Sequence, residues 1–137
     1  MTWQQQLAAV LLPAILQVES AGRIDVPDGK AGERGPYQMK RAAWSDAQDW
    51  LRSNGCEPLP PWETGARDME SARTAAEAYL LRWGEAYAAR TGRAPTMEAL
   101  ARIYNGGPRG STRAREPATR EYWRKVQAEM ERQEKEK

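Results

Sequence analysis

Trp3, Leu7, Leu11, Ile15 and Val18 recur at helical spacing, so the chain is predicted to begin with an amphipathic helix from about Trp3 to Ser20. Pro13 interrupts this run and predicts either a kink or a fresh helical start at that point. Ala21-Gly22 is the expected stop. Ile24 and Val26 then alternate with polar residues ahead of Asp28-Gly29, a turn-forming pair, which predicts a small irregular β-hairpin over 23–34. A second helix is expected from Pro36 to the stop at Asn54-Gly55, carrying Met39, Ala43, Trp44, Ala47, Trp50 and Leu51. After the Pro-rich connector "CEPLPPWETG", the longest apolar stripe predicts a helix over about 66–90. Thr96 can cap a shorter helix that ends at "NGGP". A last helix follows Pro117 with Tyr122, Trp123, Val126 and Met130 inward. The charged end of the chain, about 128–137, has nothing to bury and is expected to fray.

The pattern predicts an α+β fold, mainly α, with one short β excursion. No internal repeat or linker divides the 137 residues, which suit a single domain spanning 1–137. A charged fraction of 29% beside 40% hydrophobic residues argues for a globular chain rather than a disordered one. The apolar run "LAAVLLPAIL" is too short to span a bilayer, so no membrane insertion is expected. No Lys or Arg precedes that run, and no small-residue cleavage site follows it before Glu19, so it reads as a core helix rather than a leader. A net charge of +2 without a dense basic stripe gives no argument for nucleic acid.

Two absences narrow the chemistry further. With no histidine, Ser-His-Asp and Cys-His catalysis and His-based metal sites are excluded. With Cys56 as the only cysteine, no intrachain disulfide can form and no Cys-based zinc site is available. No metal or organic cofactor is expected. Proton transfer near neutral pH then falls to Asp, Glu, Tyr or Lys, with perturbed carboxylates the usual choice.

Glu19 draws attention because it closes an apolar helix just before a Gly-rich loop carrying Asp25, Asp28 and Glu33. The carbonyl end of a helix disfavours a negative charge, and an apolar surround adds to that effect. Glycosidic cleavage needs such a protonated acid together with a second, ionised carboxylate, and their pKa values must be pushed apart. The plainer reading makes Glu19 a solvated helix-end acid and the other three turn residues.

Four blocks in order, "VES" at 18–20, "GPYQMKRAAWSDA" at 35–47, "RIYNGGPRG" at 102–110 and "YWRKV" at 122–126, resemble the invertebrate-type (destabilase-type) lysozyme family. The resemblance covers about 15–126. It implies a lysozyme-like fold with the short hairpin beside a catalytic cleft. It also implies Glu19 as general acid and Asp28, seven positions before Gly35, as the second acid, with Asp25 and Glu33 kept as substitutes. Tyr37 and Gln38 are then expected on the cleft floor, with Tyr104 and Asn105 on the opposite wall. Trp62, in the connector, is the best candidate to stack on a sugar face.

The implied substrate is the β-1,4 bond between amino sugars of peptidoglycan, with chitin oligomers a similar target, acted on by a monomer. A lytic transglycosylase using Glu19 alone and a non-catalytic glycan-binding module are the alternatives. "YNGGP" at 104–108 is also similar to a stretch of the soluble lytic transglycosylases. The single cysteine departs from the disulfide-rich secreted members and points to a bacterial or phage version. Such a chain would be made in the cytoplasm and delivered to the wall by lysis, within a particle, or through a dedicated export system.

Overall fold

The computed structural model describes residues 1–137, folded as two compact units: Met1–Val18 with Trp83–Lys137, and Glu19–Arg82. Helices dominate and no sheet forms. The chain enters α1 (Trp3–Gln6) through a reciprocal cap, in which Thr2 Oγ1 accepts from the Gln5 amide at 3.1 Å and Gln5 Oε1 accepts from the Thr2 amide at 2.9 Å. A π-helical turn (Leu7–Leu11) carries the chain into α2 (Leu12–Ser20). The Leu12 amide donates to Leu7 O, one residue further back than in an α-helix, immediately before Pro13. Proline has no amide proton, and its ring crowds the carbonyl four residues earlier. The widened turn accommodates that defect within a helical run that continues from Trp3 to Ser20.

In the first unit, α6 (Met97–Gly106) packs on α7 (Glu116–Lys135), and the π-helical turn touches both. Leu7, Leu11, Leu100, Ile103 and Val126 are buried at this junction. As the sequence predicts, Thr96 caps α6, its Oγ1 accepting from the Ala99 amide at 3.0 Å. Gly107, at φ 85°, ends the helix. Arg102 is buried yet fully occupied. Its Nε donates to Thr119 Oγ1 at 2.9 Å, Nη2 donates to Thr112 O at 3.1 Å, and Nη1 lies 3.4 Å from Glu98. One side chain thus fastens the 107–115 loop to α7. A short 3-10 turn (Arg113–Arg115) leads into α7, which remains helical to Lys135 with Arg132 paired to Glu129 and Glu136.

In the second unit, α3 (Arg41–Ser53) buries Trp44, Ala47 and Leu51 and stops at Gly55, φ 69°. It begins at Arg41 rather than Pro36, because 35–38 form a turn in which the Gln38 amide donates to Gly35 O at 2.9 Å. The connector is pinned to α3 at two points. Trp44 Nε1 donates to Pro60 O at 3.0 Å, and the Leu59 amide donates to Gln48 Oε1 at 2.7 Å. It then coils briefly as α4 (Trp62–Gly65), an element with no periodic signal in the sequence. The long helix α5 (Met69–Thr91) starts three residues later than expected, where Asp68 accepts from the Ser71 amide at 2.9 Å.

The predicted hairpin over 23–34 is absent. In its place stand a single antiparallel bridge, Arg34 with Met39, and a compact turn in which the Gly29 amide donates to Glu33 O at 2.8 Å. Two features of the segment work against a strand pair. Pro27 withholds a ladder donor, and Ile24, 55% exposed, finds no apolar face to bury.

Gly35 sits at φ 79°, and a Cβ there would overlap the backbone carbonyl of Ala66. Gly35→Ala should therefore destabilise the chain by about 2 kcal/mol or more, read from the denaturant midpoint. Thr119→Val, which takes the acceptor from buried Arg102, should cost about 1–3 kcal/mol in the same assay.

Candidate active site

Glu19 lies in the last turn of α2 and is half-buried. The helix stops there because Ala21 and Gly22 adopt left-handed backbone, φ 56° and 81°, while the Gly22 amide donates to Ser20 Oγ at 3.1 Å. The carboxyl group therefore stands at the carbonyl end of a helix, where the peptide dipoles oppose a negative charge.

The loop that follows presents three acids in three different states. Asp25 is exposed and takes no part in the contacts that shape the loop. Glu33 turns back on its own segment, its Oε1 accepting from the Ala31 amide at 2.9 Å, so it serves the turn. Asp28 is held from two directions. Arg34 Nη2 donates to its Oδ2 at 2.8 Å, and Arg34 Nε lies 3.2 Å from both oxygens. Arg67 Nη2 donates to Oδ1 at 2.9 Å.

The Arg34 hydrogen bonds, aided by the charges of Arg34 and Arg67, hold the Asp28 carboxyl below its ordinary value against a smaller opposing effect of desolvation. Because the folded value is the lower one, the clamp stabilises the fold above the unfolded carboxylate pKa. That contribution is lost as pH falls through the depressed value.

Arg34 is itself anchored. Its Nη1 donates to Glu63 O at 3.0 Å, and its guanidinium lies 4.3 Å from the centre of the Trp62 ring. Arg41 lies 4.5 Å from the same ring and pairs with Glu63 at 3.0 Å. The Trp62 indole donates to Met39 O at 3.0 Å. The tryptophan expected to stack on a sugar is thus half-buried, with two guanidinium groups against its ring.

Of the other expected contact residues, Tyr37 is only 2% exposed, and burial pushes its hydroxyl above the usual tyrosine value. Gln38 is half-buried at φ 49°, with Nε2 donating to Gly35 O at 2.8 Å. Both residues shape the turn that follows Arg34. Tyr104, half-buried, and Asn105, exposed, lie in the last turn of α6, in the other unit.

A groove of about 490 Å³ also lies in the second unit, between α3 and the connector, lined among others by Arg41, Trp44, Gln48, Arg52, Pro61 and Trp62. Neither Glu19 nor Asp28 lines it.

Sequence reasoning missed Arg34, Arg67, Arg41 and Glu63. Arg34, six residues from Asp28, was within reach of a local charge reading. Arg67 is 39 residues away and carries no such signal.

No family model matches the chain. It is 37% identical over 95 residues to lysozyme 1 of Crassostrea virginica, an alignment covering 69% of this chain and 44% of that protein. Against the lysozyme of Magallana gigas the identity is 34% over 92 residues, covering 67% of this chain and 56% of the relative. Against the lysozyme of Ostrea edulis it is 30% over 119 residues, covering 84% and 75%. The chain thus spans less than half the length of the Crassostrea protein and three quarters of the Ostrea one. That last match, long on both sides, means that the chain belongs to the lysozyme family of these oyster proteins.

Proposed function

We propose that the chain is an invertebrate-type lysozyme acting on peptidoglycan. In this reading it hydrolyses the β-1,4 bond between amino sugars, with Glu19 as proton donor and Asp28 as the ionised partner. The observation that carries the reading is the pairing of two unlike carboxyl environments on one short stretch of a lysozyme-family chain. Glu19 is half-buried at a helix carbonyl end, and Asp28 is held charged by arginines. A glycosidase needs that inequality, because one acid must give a proton while the other stays negative as the sugar becomes oxocarbenium-like.

The protonated Glu19 gives its proton to the leaving glycosidic oxygen as the bond to the anomeric carbon breaks. Asp28 steadies or captures that carbon, and water completes the hydrolysis. Nothing in this sequence of steps calls on a histidine, which the chain lacks. The single cysteine fits a version made without disulfides, as in a bacterium or phage.

A second reading is favoured by the tightness of the Asp28 contacts. A carboxylate engaged by two guanidinium groups is a poorer nucleophile, and a lytic transglycosylase dispenses with it. There the 6-hydroxyl of the sugar itself attacks the anomeric carbon, leaving a 1,6-anhydro end.

Glu19→Gln should reduce clearing of cell-wall suspensions by on the order of a hundredfold or more while leaving the melting temperature nearly unchanged. Lysis at the parent rate would remove Glu19 from the mechanism. Mass spectrometry of the released fragments should find reducing ends, and anhydro ends would move the chain to the transglycosylase reading.

A further inference from the structure

Asp28 sits on a loop with almost no regular pairing, between Gly22 and the turn at 29–33, and its side chain is 36% exposed. A carboxylate on such a segment would ordinarily sample many orientations. Here both oxygens are occupied by groups from two separate stretches of chain. The geometry points to Arg34 and Arg67 as positioning residues for the second carboxylate, Arg34 fixing its orientation and Arg67 adding a releasable charge. This rests on the reading of Asp28 as the acid that stays ionised during glycosidic cleavage.

The two arginines are built differently. Every nitrogen of the Arg34 guanidinium has a fixed partner. Nε and Nη2 form a fork on Asp28, and Nη1 is satisfied by Glu63 O. Its plane is backed by Trp62, which is pinned in turn to Met39 O. The Arg34 side chain is 21% exposed, so the fork cannot swing away without losing several contacts together. A lysine at this position could supply the charge but not the fork.

Arg67 makes one contact with Asp28, from the turn that follows α4, and its side chain is 49% exposed. If Asp28 is to approach an anomeric carbon, one oxygen must surrender a contact. The single Arg67 bond to Oδ1 can be given up with the Arg34 fork still in place.

The remaining charges around the cluster leave this arrangement intact. Glu63 lies behind Arg34 and is engaged by Arg41, while Glu33 is turned to the Ala31 amide. Asp28 thus faces two positive groups and no acid in contact. Its proton affinity is lowered from both sides, as the direction of its shift indicates. Protonation of Asp28 breaks the clamp and removes the negative partner together. The acid limit of catalysis should therefore fall where Asp28 titrates. With no histidine in the chain, that limb of the pH profile reports carboxyl groups without interference from imidazole.

The test joins a direct titration to kinetics on the full chain. Carboxyl carbon chemical shifts of Asp28 are followed against pH by NMR in the parent, Arg67→Gln, Arg34→Gln and Arg34→Lys, beside pH profiles of kcat/KM on soluble peptidoglycan fragments. In the parent, Asp28 should titrate below the ordinary carboxylate range. Arg67→Gln should raise that midpoint and move the acid limb of kcat/KM upward with it. The loss should be under about twofold near about pH 7 and should grow to about threefold near about pH 3, as the carboxylate is lost earlier than in the parent. Arg34→Gln should lower kcat across the whole range, and Arg34→Lys should fail to restore it.

The proposal is overturned if Asp28 titrates as an ordinary carboxyl in the parent, or if Arg67→Gln shifts the titration without moving the acid limb. Full rescue by Arg34→Lys would overturn the orienting role of the fork. Failure of the underlying reading looks different, because Glu19→Gln or Asp28→Asn would then retain parental kcat/KM whatever the titrations show.

Discussion

One guanidinium ties the loop between α2 and α3 to the elements packed around it. The segment from Ala21 to Lys40 has one backbone bridge, three short turns and no strand ladder, so its regular pairing is sparse. Arg34 joins three of its neighbours: its N–H groups hold the Asp28 carboxylate and the Glu63 carbonyl, and its face lies against the Trp62 ring. Each contact would be weak alone on an exposed surface. Their shared donor makes them interdependent, because moving Arg34 breaks all three. The close approach of Gly35 to the Ala66 carbonyl supports the same junction from the backbone side. A loop that carries one half of the proposed chemistry is thereby tied to the turn that precedes α5.

That arrangement also bears on how a chain without histidine can separate two carboxyl groups. Raising one acid requires burial or a like charge, and both strain the fold. Lowering the other requires only cations close by, which surface arginines supply without deep burial. In the proposed reading the chain uses the second route for Asp28 and reserves the half-buried helix end for Glu19. The indole of Trp62 is drawn into the same construction. Expected as a sugar platform, it backs Arg34 and Arg41 in this fold, and its N–H is occupied by Met39 O.

The helical part of this fold was legible because its signals are local. Thr96 lies three residues before the Ala99 amide that it caps, and Gly55 and Gly107 take the left-handed backbone on which helix ends depend. The apolar faces of α3 and α6 announce themselves through spacing alone. Reading failed where a local pattern needed a distant partner. Ile24 and Val26 alternate as strand residues do, yet a strand exists only if another segment pairs with it, and Pro27 with the turn at 29–33 forecloses that. Pro13 was ambiguous for a related reason, since the π-helical turn that absorbs it has no residue signature of its own. At the candidate site, the sequence singled out both carboxylates but not what surrounds them. Arg67 meets Asp28 across 39 residues, and only the folded chain relates the two.

The shortage of cysteine gives these long-range polar contacts their weight. With Cys56 exposed and alone, no covalent link can hold a loop against a helix. In each unit an arginine instead connects an irregular segment to a regular one. Arg102 fastens the 107–115 loop to Thr119 of α7, and Arg34 fastens the Asp28 loop to α4. The two differ in what they permit. Arg102 is buried, and its main partners are neutral oxygens that do not titrate in the working range, so that link is insensitive to pH. Arg34 keeps its contacts to Glu63 O and Trp62 at any pH, but its fork on the partly exposed Asp28 carboxylate weakens once Asp28 is protonated. The same kind of device thus yields a permanent fastening in one unit. In the other it yields one that loosens with acid, at the carboxylate for which the proposed chemistry requires a charge.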